Sequence, residues 1–186
     1  MNRIDRLDKQ ISEKLRIDDE KSIGFRIAAI FAHSGDSWLW CGILFLIWSF
    51  SSGGLQRMTV FWGLGIAVTA VFIFLLKRLI RRKRPAGAWG GVYRRHDPHS
   101  FPSGHAVRAG LILVFSFYTF VLPLPLIFLF WAVGMIFSRV MTGVHYFFDI
   151  VGGFLLGLLI GFFWIGMQPF LFESLAFLFD RSLWPI

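Results

Sequence analysis

Residues 58–79 read MTVFWGLGIAVTAVFIFLLKRL, and this stretch decides the fold class. Its first nineteen residues carry no charged side chain, and the first charge is that of Lys77. A helix needs about twenty predominantly apolar residues to cross the hydrocarbon core of a bilayer. The stretch therefore predicts a transmembrane helix that ends in basic residues.

The rest of the chain has the same apolar bias. Of its 186 residues 56% are hydrophobic, including 23 Phe and 8 Trp, and only 16% are charged. A soluble domain of this length could not bury so much apolar surface. Further spans are predicted at residues 37–50, 104–122, 126–141 and 147–167, and the first of them has an earlier start at 23–31 that is interrupted by His33-Ser34-Gly35-Asp36. The sequence predicts an all-α fold, a polytopic membrane bundle of five to six transmembrane helices.

The two ends of the chain differ from this core. Residues 1–22 are highly charged and lack an apolar stretch, so no cleavable signal peptide is expected. We expect an amphipathic surface segment there, or alternatively a solvated helical tail, followed by a single membrane-embedded domain over residues 23–186. Residues 168–186 are apolar but include Glu173, Asp180 and Arg181, which favours an interfacial segment over a sixth short span.

The excess of positive charge is concentrated in one place. The formal net charge is +8, and six basic residues fall between positions 77 and 84. Such a cluster suits lipid headgroups or phosphorylated substrates, whereas its position between two apolar runs disfavours nucleic acid. The basic run alone is also typical of a juxtamembrane anchor. Cys41 is the only cysteine, so neither a disulfide framework nor a thiolate metal site is expected.

Three groups of polar residues lie at the ends of the predicted spans. They are Lys77 with Arg84-Pro85, then Pro102-Ser103-Gly104-His105, and then Ser138-Arg139 with His145 and Asp149. If each span from the second to the fifth crosses once, the polar segments 77–103 and 138–149 emerge on the same face of the membrane. Ionisable residues at membrane depth are costly, so such a cluster indicates function.

The basic and small residues of these groups fit a bound phosphate. A phosphate monoester carries a charge of about −1.5 to −2 at pH 7. Lys77, Arg84 and Arg139 supply positive charge, and arginine offers bidentate geometry. Ser103 and Gly104 stand at a predicted helix start, where backbone N–H groups bind anions and glycine allows close approach.

The remaining residues fit a nucleophile and an acid. His145 and Asp149 are spaced i, i+4, so a carboxylate can orient the imidazole for attack. His105 can protonate a departing alkoxide. Each feature also has a structural explanation: a hydrogen bond at a span end for His145 with Asp149, a snorkelling side chain for Arg139, and a helix cap for Asp36. The ordered combination of all three groups excludes coincidence.

This combination resembles the three-part signature of the type 2 phosphatidic acid phosphatase superfamily, and every signature position is matched. The resemblance implies that His145 is the nucleophile and forms a phosphohistidine, that Asp149 orients it and that His105 protonates the leaving group. It also implies that phosphate is bound by Lys77, Arg84, Ser103, Gly104 and Arg139, with no metal and no cofactor. The vanadium haloperoxidases of the superfamily fit poorly, because they are soluble.

The resemblance implies a metal-independent hydrolase that removes a phosphate monoester or pyrophosphate from a lipid. Similar small bacterial enzymes act on undecaprenyl pyrophosphate, phosphatidylglycerophosphate, phosphatidic acid or lipid A 1-phosphate. The expected partners are a phosphorylated lipid and the surrounding membrane lipids. We expect a multi-pass protein of the inner membrane with its site facing the periplasm, although the positive-inside rule alone points to the cytoplasm. The rival is a non-catalytic lipid-binding or transport protein that kept the phosphate site.

Overall fold

The computed structural model describes residues 3–86, 89, 91 and 97–179, and most of these residues are helical. The named helices are α1 (Arg3–Leu15), α2 (Ile23–Ser34), α3 (Ser37–Phe50), α4 (Gly53–Ile80), α5 (Gly104–Thr119), α6 (Leu124–Met141), α7 (Phe147–Ser174) and α8 (Ala176–Phe179). Within the described ranges the only β-type pairing is an isolated bridge between Lys83 and His99. The predicted all-α membrane bundle is confirmed.

Three of the described helices, α4, α6 and α7, are long and apolar enough to cross a membrane. A fourth span results if α2 and α3, which meet at an angle of 56°, form one broken helix. Helix α5 has 16 residues and a length of about 24 Å. It runs antiparallel to α4, because Trp62 near the start of α4 donates a 3.1 Å hydrogen bond to Thr119 at the end of α5. The count of five to six spans stays a prediction that requires α5 to cross.

Glycines bring α5 and α7 into backbone contact. A Cβ atom on Gly157 would lie 2.1 Å from the carbonyl oxygen of Val107, and one on Gly110 would lie 2.5 Å from that of Phe154. Gly153 and Gly161 stand one turn away from Gly157 on the same face of α7. Small residues at this spacing allow membrane helices to pack closely without a hydrophobic driving force. The contact fixes the first two turns of α5 against residues 154–157 of α7.

Helix α4 ends within the first polar segment, and helix α7 begins within the second. Helix α4 ends because Arg81 adopts the left-handed conformation (φ 54°), and its N–H bonds the carbonyl of Lys77 at 2.9 Å. The chain then turns back across the end of the bundle. Helix α7 begins at Phe147, so His145 precedes the helix instead of lying within it.

Helix α1 packs against the start of α7 through its polar face. The side chain of Asp8 is fully buried and accepts a 2.8 Å hydrogen bond from the N–H of Phe148. The hydroxyl of Ser12 accepts a 2.8 Å bond from the N–H of Phe147. These two N–H groups have no partner within their own helix. Helix α1 therefore caps α7 from outside, and it leaves Ile4 and Leu7 exposed.

The C-terminal segment continues α7 and then folds back, and its expected interfacial position stays a prediction. Helix α7 continues past residue 167 to Ser174, with Pro169 inside it. Helix α8 then folds back, and Phe179 is buried against Phe172 with ring centroids 4.6 Å apart. Phe172 and Phe179 thus pack within the bundle, whereas Phe170 and Phe177 remain exposed. Residues 180–186 of the predicted segment lie outside the described residues.

Candidate active site

The three predicted groups meet in one cavity at the end of the bundle. The cavity has a volume of about 220 Å³, and six of the eight predicted site residues line it: Lys77, Arg84, Gly104, His105, Arg139 and His145. The other two, Ser103 and Asp149, lie directly behind it. The N–H of Ser103 donates a 3.1 Å bond to the backbone carbonyl of Asp149, and the side chain of Asp149 faces His145. Both polar segments thus lie at the same end of the bundle, as their predicted emergence on one face of the membrane requires.

Arg84 fixes the protonation state of His145. Its Nη1 atom lies 2.8 Å from Nε2 of His145 and 3.0 Å from the carbonyl oxygen of Val144. A guanidinium has only donors, so Nε2 must be the acceptor and therefore carries no proton. The imidazole is then neutral, with its proton on Nδ1. This arrangement keeps Nε2 unprotonated, as a nucleophile requires, with its lone pair engaged by Arg84 until a substrate takes the place of that contact.

Asp149 faces the other side of the His145 ring. Its Oδ2 atom lies 3.5 Å from Nδ1 of His145 and accepts a 2.9 Å bond from the N–H of Tyr146. The i, i+4 spacing thus places the two residues together although only Asp149 is helical. Burial lowers the pKa of His145 well below its ordinary value, and the charges of Arg84, Arg139 and Lys77 lower it further. His145 is therefore neutral at neutral pH.

Arg82 is a site residue that sequence reasoning missed. Its Nη1 atom donates a 2.6 Å bond to Oδ1 of Asp149, and its Nη2 atom donates to Oδ2 of Asp8. Both carboxylates are fully buried, and a single guanidinium bridges them. In the sequence Arg82 is one of six basic residues within eight positions, and nothing in the local pattern distinguishes it.

Two of the predicted phosphate-binding cations are held by Asp97. Lys77 donates from Nζ to Oδ2 of Asp97, and Arg84 donates from Nη2 to the same oxygen at 2.8 Å. Arg84 also donates from Nε to the carbonyl of Asp97 at 2.8 Å. The carboxylate of Asp97 thus occupies donors that a phosphate would need, and it balances their charge.

Both the side chain and the backbone carbonyl of Arg139 contribute to the site. It is completely buried at the end of α6, lines the cavity and donates from Nη1 to the carbonyl of Ala32 at 3.4 Å. Its carbonyl oxygen accepts from the N–H groups of Val144 and His145 at 3.2 and 3.1 Å. A snorkelling arginine would extend to the interface. Arg139 instead positions the His145 loop and adds charge to the cavity.

The start of α5 offers further donors. The Ser103 hydroxyl is buried and has no hydrogen-bond partner among the described residues. A Cβ atom on Gly104 would meet only a methyl group of Ile73 at 3.8 Å, which is an ordinary contact. Protein packing therefore does not require glycine at position 104. Glycine at this position leaves the N–H groups of the helix end open to the close approach of an anion.

His105 is held by Asp36, whose role differs from the one expected. Asp36 stands at the N-cap position of α3, but its side chain makes no capping bond. Its Oδ1 atom lies 2.8 Å from Nε2 of His105, and its Oδ2 atom lies 3.1 Å from Nδ1 of His33. The expectation of a helix cap was wrong because the chain break between α2 and α3 turns this carboxylate toward α5.

The far end of the cavity is apolar and reaches the lipid-facing surface. Its walls come from one face of α4 with Ile66, Ile73 and Phe74, and from Leu111 of α5. Phe74 is 46% exposed on the outside of the bundle. One cavity thus joins a cationic end to an apolar opening. Among the described residues no group of three or more His, Cys, Asp or Glu side chains is placed to hold a metal ion.

Comparison with known proteins identifies the family of the chain. The family model of the PAP2 superfamily matches residues 58–173, which is more than half of the chain. The decaprenylphosphoryl-5-phosphoribose phosphatase of Mycobacterium tuberculosis is 30% identical over 131 residues, covering 70% of this chain and 72% of that protein. The lipid A 1-diphosphate synthase of Escherichia coli is 30% identical over 166 residues, covering 82% and 70%.

Two crystal structures share the fold. The transmembrane PAP2-type phosphatidylglycerolphosphate phosphatase from Bacillus subtilis superposes with a TM-score of 0.74 and 25% identity, covering 91% of this chain and 88% of that one. Aquifex aeolicus LpxE superposes with a TM-score of 0.70 and 22% identity, covering 86% and 95%. The chain therefore belongs to the PAP2 superfamily.

Proposed function

We propose that the chain is an integral membrane lipid phosphatase that works through a phosphohistidine. Nε2 of His145 attacks the phosphorus, the bond to the lipid oxygen breaks, and His105 gives that oxygen a proton. Water then attacks the phosphohistidine and releases inorganic phosphate. The observation that carries this proposal is the 2.8 Å contact between Arg84 and His145, because it leaves an unprotonated nitrogen at the cationic end of the cavity.

The shape of the cavity supports a lipid substrate. Lys77, Arg84 and Arg139 concentrate positive charge where a phosphate would lie, and the remaining walls are apolar. A soluble phosphate ester gains nothing from apolar walls, whereas a lipid places its chain there by the hydrophobic effect. The lipid-facing position of Phe74 supports entry from the side of the bundle.

The relatives support the same class of substrate. The names of the mycobacterial and Bacillus proteins describe phosphatases of a decaprenyl-linked sugar phosphate and of phosphatidylglycerolphosphate. We therefore assign to this chain a phosphate monoester or diphosphate of a lipid. Undecaprenyl pyrophosphate, phosphatidylglycerophosphate, phosphatidic acid and lipid A 1-phosphate are the compounds to test.

The reaction needs no divalent metal in this proposal. Lys77, Arg84 and Arg139 already supply positive charge at the site where charge develops on the phosphoryl oxygens. A histidine nucleophile also removes the need for a metal-activated water in the first step. Activity should therefore survive an excess of chelator.

The rival function is non-catalytic binding or transport of a phosphorylated lipid. A binding protein needs the cations but not an imidazole of fixed tautomer beside a buried carboxylate. The geometry of His145 with Arg84 and Asp149 therefore favours catalysis.

Phosphate release by the purified protein in detergent tests the proposal. The four lipid phosphates named above are offered with and without EDTA, and inorganic phosphate is measured. We expect release from at least one of them, equal in both conditions and reduced by more than about 10³-fold in His145→Ala. Failure to release phosphate from any of the four, with tight binding of one of them, would establish the non-catalytic function instead.

We further propose that the protein lies in the inner membrane with its site facing the periplasm. Cysteines placed singly at Lys83 and at Gly54, in a Cys41→Ala background, mark the two ends of the bundle. An impermeant thiol reagent applied to cells with a permeable outer envelope should label position 83 and leave position 54 unlabelled. The opposite pattern would place the site in the cytoplasm.

A further inference from the structure

The break between α2 and α3 places one carboxylate beside the second histidine of the site. The Oδ1 atom of Asp36 lies 2.8 Å from Nε2 of His105, and both side chains are largely buried. The ring of His105 packs directly on Gly35, where a Cβ atom would come within 2.9 Å of it. An ionisable side chain between two apolar helices is energetically costly, so its presence there indicates a function.

A purely structural role for Asp36 is not needed at this break. Arg108 donates to the carbonyl of Gly35 and to the hydroxyl of Ser37. Trp40 donates to the carbonyl of Ser34 at 3.1 Å, and Trp131 donates to its hydroxyl at 2.9 Å. Side chains from α3, α5 and α6 thus hold the break without using the Asp36 carboxylate.

The contact with Asp36 determines which ring nitrogen of His105 carries the proton that is donated to the carboxylate. A carboxylate accepts hydrogen bonds, so Nε2 of His105 carries a proton and donates it to Asp36. Nδ1 is then the nitrogen that exchanges a proton with the substrate. The charged groups facing His105 from the described elements are Asp36 at the α2–α3 break, Arg108 on α5 and Arg139 on α6. Burial and the two arginines disfavour an imidazolium, and the Asp36 carboxylate opposes them.

We propose that Asp36 is a positioning residue that orients His105 and favours its protonated form as the general acid. This inference rests on the proposed function. As the Nε2–phosphorus bond at His145 forms, the bond from phosphorus to the lipid oxygen breaks, and the proton on Nδ1 of His105 moves to that oxygen. In the second step water gives a proton to Nδ1 as its oxygen bonds to phosphorus, and the bond from phosphorus to His145 breaks. The imidazolium beside Asp36 is thereby restored.

The test compares Asp36→Asn with wild-type protein on phosphatidic acid and on 4-nitrophenyl phosphate. The alkoxide of a lipid alcohol requires a proton to leave, whereas nitrophenolate leaves without one. We expect kcat on phosphatidic acid to fall by about 10²-fold. The initial burst of nitrophenolate should stay within a few-fold of wild type, and the decline of kcat at high pH should move to lower pH. His33→Gln, which removes the contact between His33 and Asp36 but leaves the one with His105, should change neither substrate by more than a few-fold.

Each other outcome overturns the inference. Equal losses on both substrates with an unchanged pH profile would mean that Asp36 only stabilises the fold, and wild-type behaviour of Asp36→Asn would mean that it has no role. A wild-type protein that releases phosphate from neither phosphatidic acid nor phosphatidylglycerophosphate, nor nitrophenolate, would overturn the proposed monoesterase function together with this inference.

Discussion

Arg82 donates a 2.6 Å hydrogen bond from Nη1 to Oδ1 of Asp149, the carboxylate that faces the His145 ring. The same guanidinium bonds Asp8 of helix α1, so the N-terminal helix is tied to the candidate active site through one side chain. The other carboxylate oxygen of Asp149 is left for His145 and for the N–H of Tyr146. Arg82 therefore sets which oxygen of Asp149 meets the imidazole.

Replacing Arg82 should weaken both stability and activity. In Arg82→Gln the buried carboxylates of Asp8 and Asp149 lose their shared cation, and breaking such a pair costs about 3–5 kcal/mol. We expect a lower unfolding temperature in detergent and a roughly tenfold lower kcat. Lys83→Gln, in the same loop but with an exposed side chain, is the matched control. Wild-type stability and kcat in Arg82→Gln would show that the network is dispensable.

The pH profile should reflect the lowered pKa of His145. The nucleophile must be neutral, and a lowered pKa keeps it neutral at pH values where an ordinary histidine is protonated. We therefore expect kcat/KM to stay level as the pH falls below about 6.5 and to decline only at lower pH. Arg84→Gln removes a positive charge that lowers this pKa, so its acid limb should move to higher pH. An acid limb in Arg84→Gln that is unchanged or lower would contradict this electrostatic explanation.

Asp97→Asn should bind phosphate analogues more tightly than wild type. The carboxylate of Asp97 bonds Lys77 and Arg84, which a phosphate or vanadate would also require. Removing its charge removes a competing anion, so the inhibition constant for vanadate should fall several-fold. Weaker inhibition by vanadate would show instead that Asp97 holds the two cations in their binding geometry.

Two glycine substitutions should separate binding from folding. In Gly104→Ala the new methyl group meets only Ile73 at an ordinary distance, so stability should not change. We expect its inhibition constant for vanadate to rise about tenfold, which corresponds to about 1.4 kcal/mol. In Gly157→Ala the methyl group would meet the Val107 carbonyl, and overpacking typically costs about 1–3 kcal/mol. A destabilised Gly104→Ala protein with unchanged vanadate binding would contradict the assignment of Gly104 to the phosphate site.

Sequence patterns predicted those parts of the structure that depend on local properties. The stretch 58–79 and the later apolar runs correspond to α4, α5, α6 and α7, because apolar length decides membrane insertion. Helix α7 extends to Ser174, past the predicted span end at residue 167, because a helix can continue whether residues 168–174 lie in the interface or extend a span.

The parts that the sequence did not reveal depend on contacts between distant residues. Arg82 is chemically equivalent to its basic neighbours, and only the turn at Arg81 directs it to Asp149 and Asp8. Asp36 is 69 positions from His105, and its N-cap position suggested a local bond instead. Ionisable residues next to apolar runs indicate in the sequence that a functional site is present. They do not indicate which residues contact each other there.

The central claim is that His145 is the nucleophile, and trapping the covalent intermediate tests it most directly. 4-Nitrophenyl phosphate labelled with ³²P is mixed with the His105→Ala variant. Slow hydrolysis in this variant should let the phosphoenzyme accumulate. The reaction is then quenched in base, because phosphohistidine is stable there. We predict label on the peptide that contains His145, and none in the His105→Ala, His145→Ala double variant. Label on another residue, or nitrophenolate release at an undiminished rate in His145→Ala, would contradict the claim.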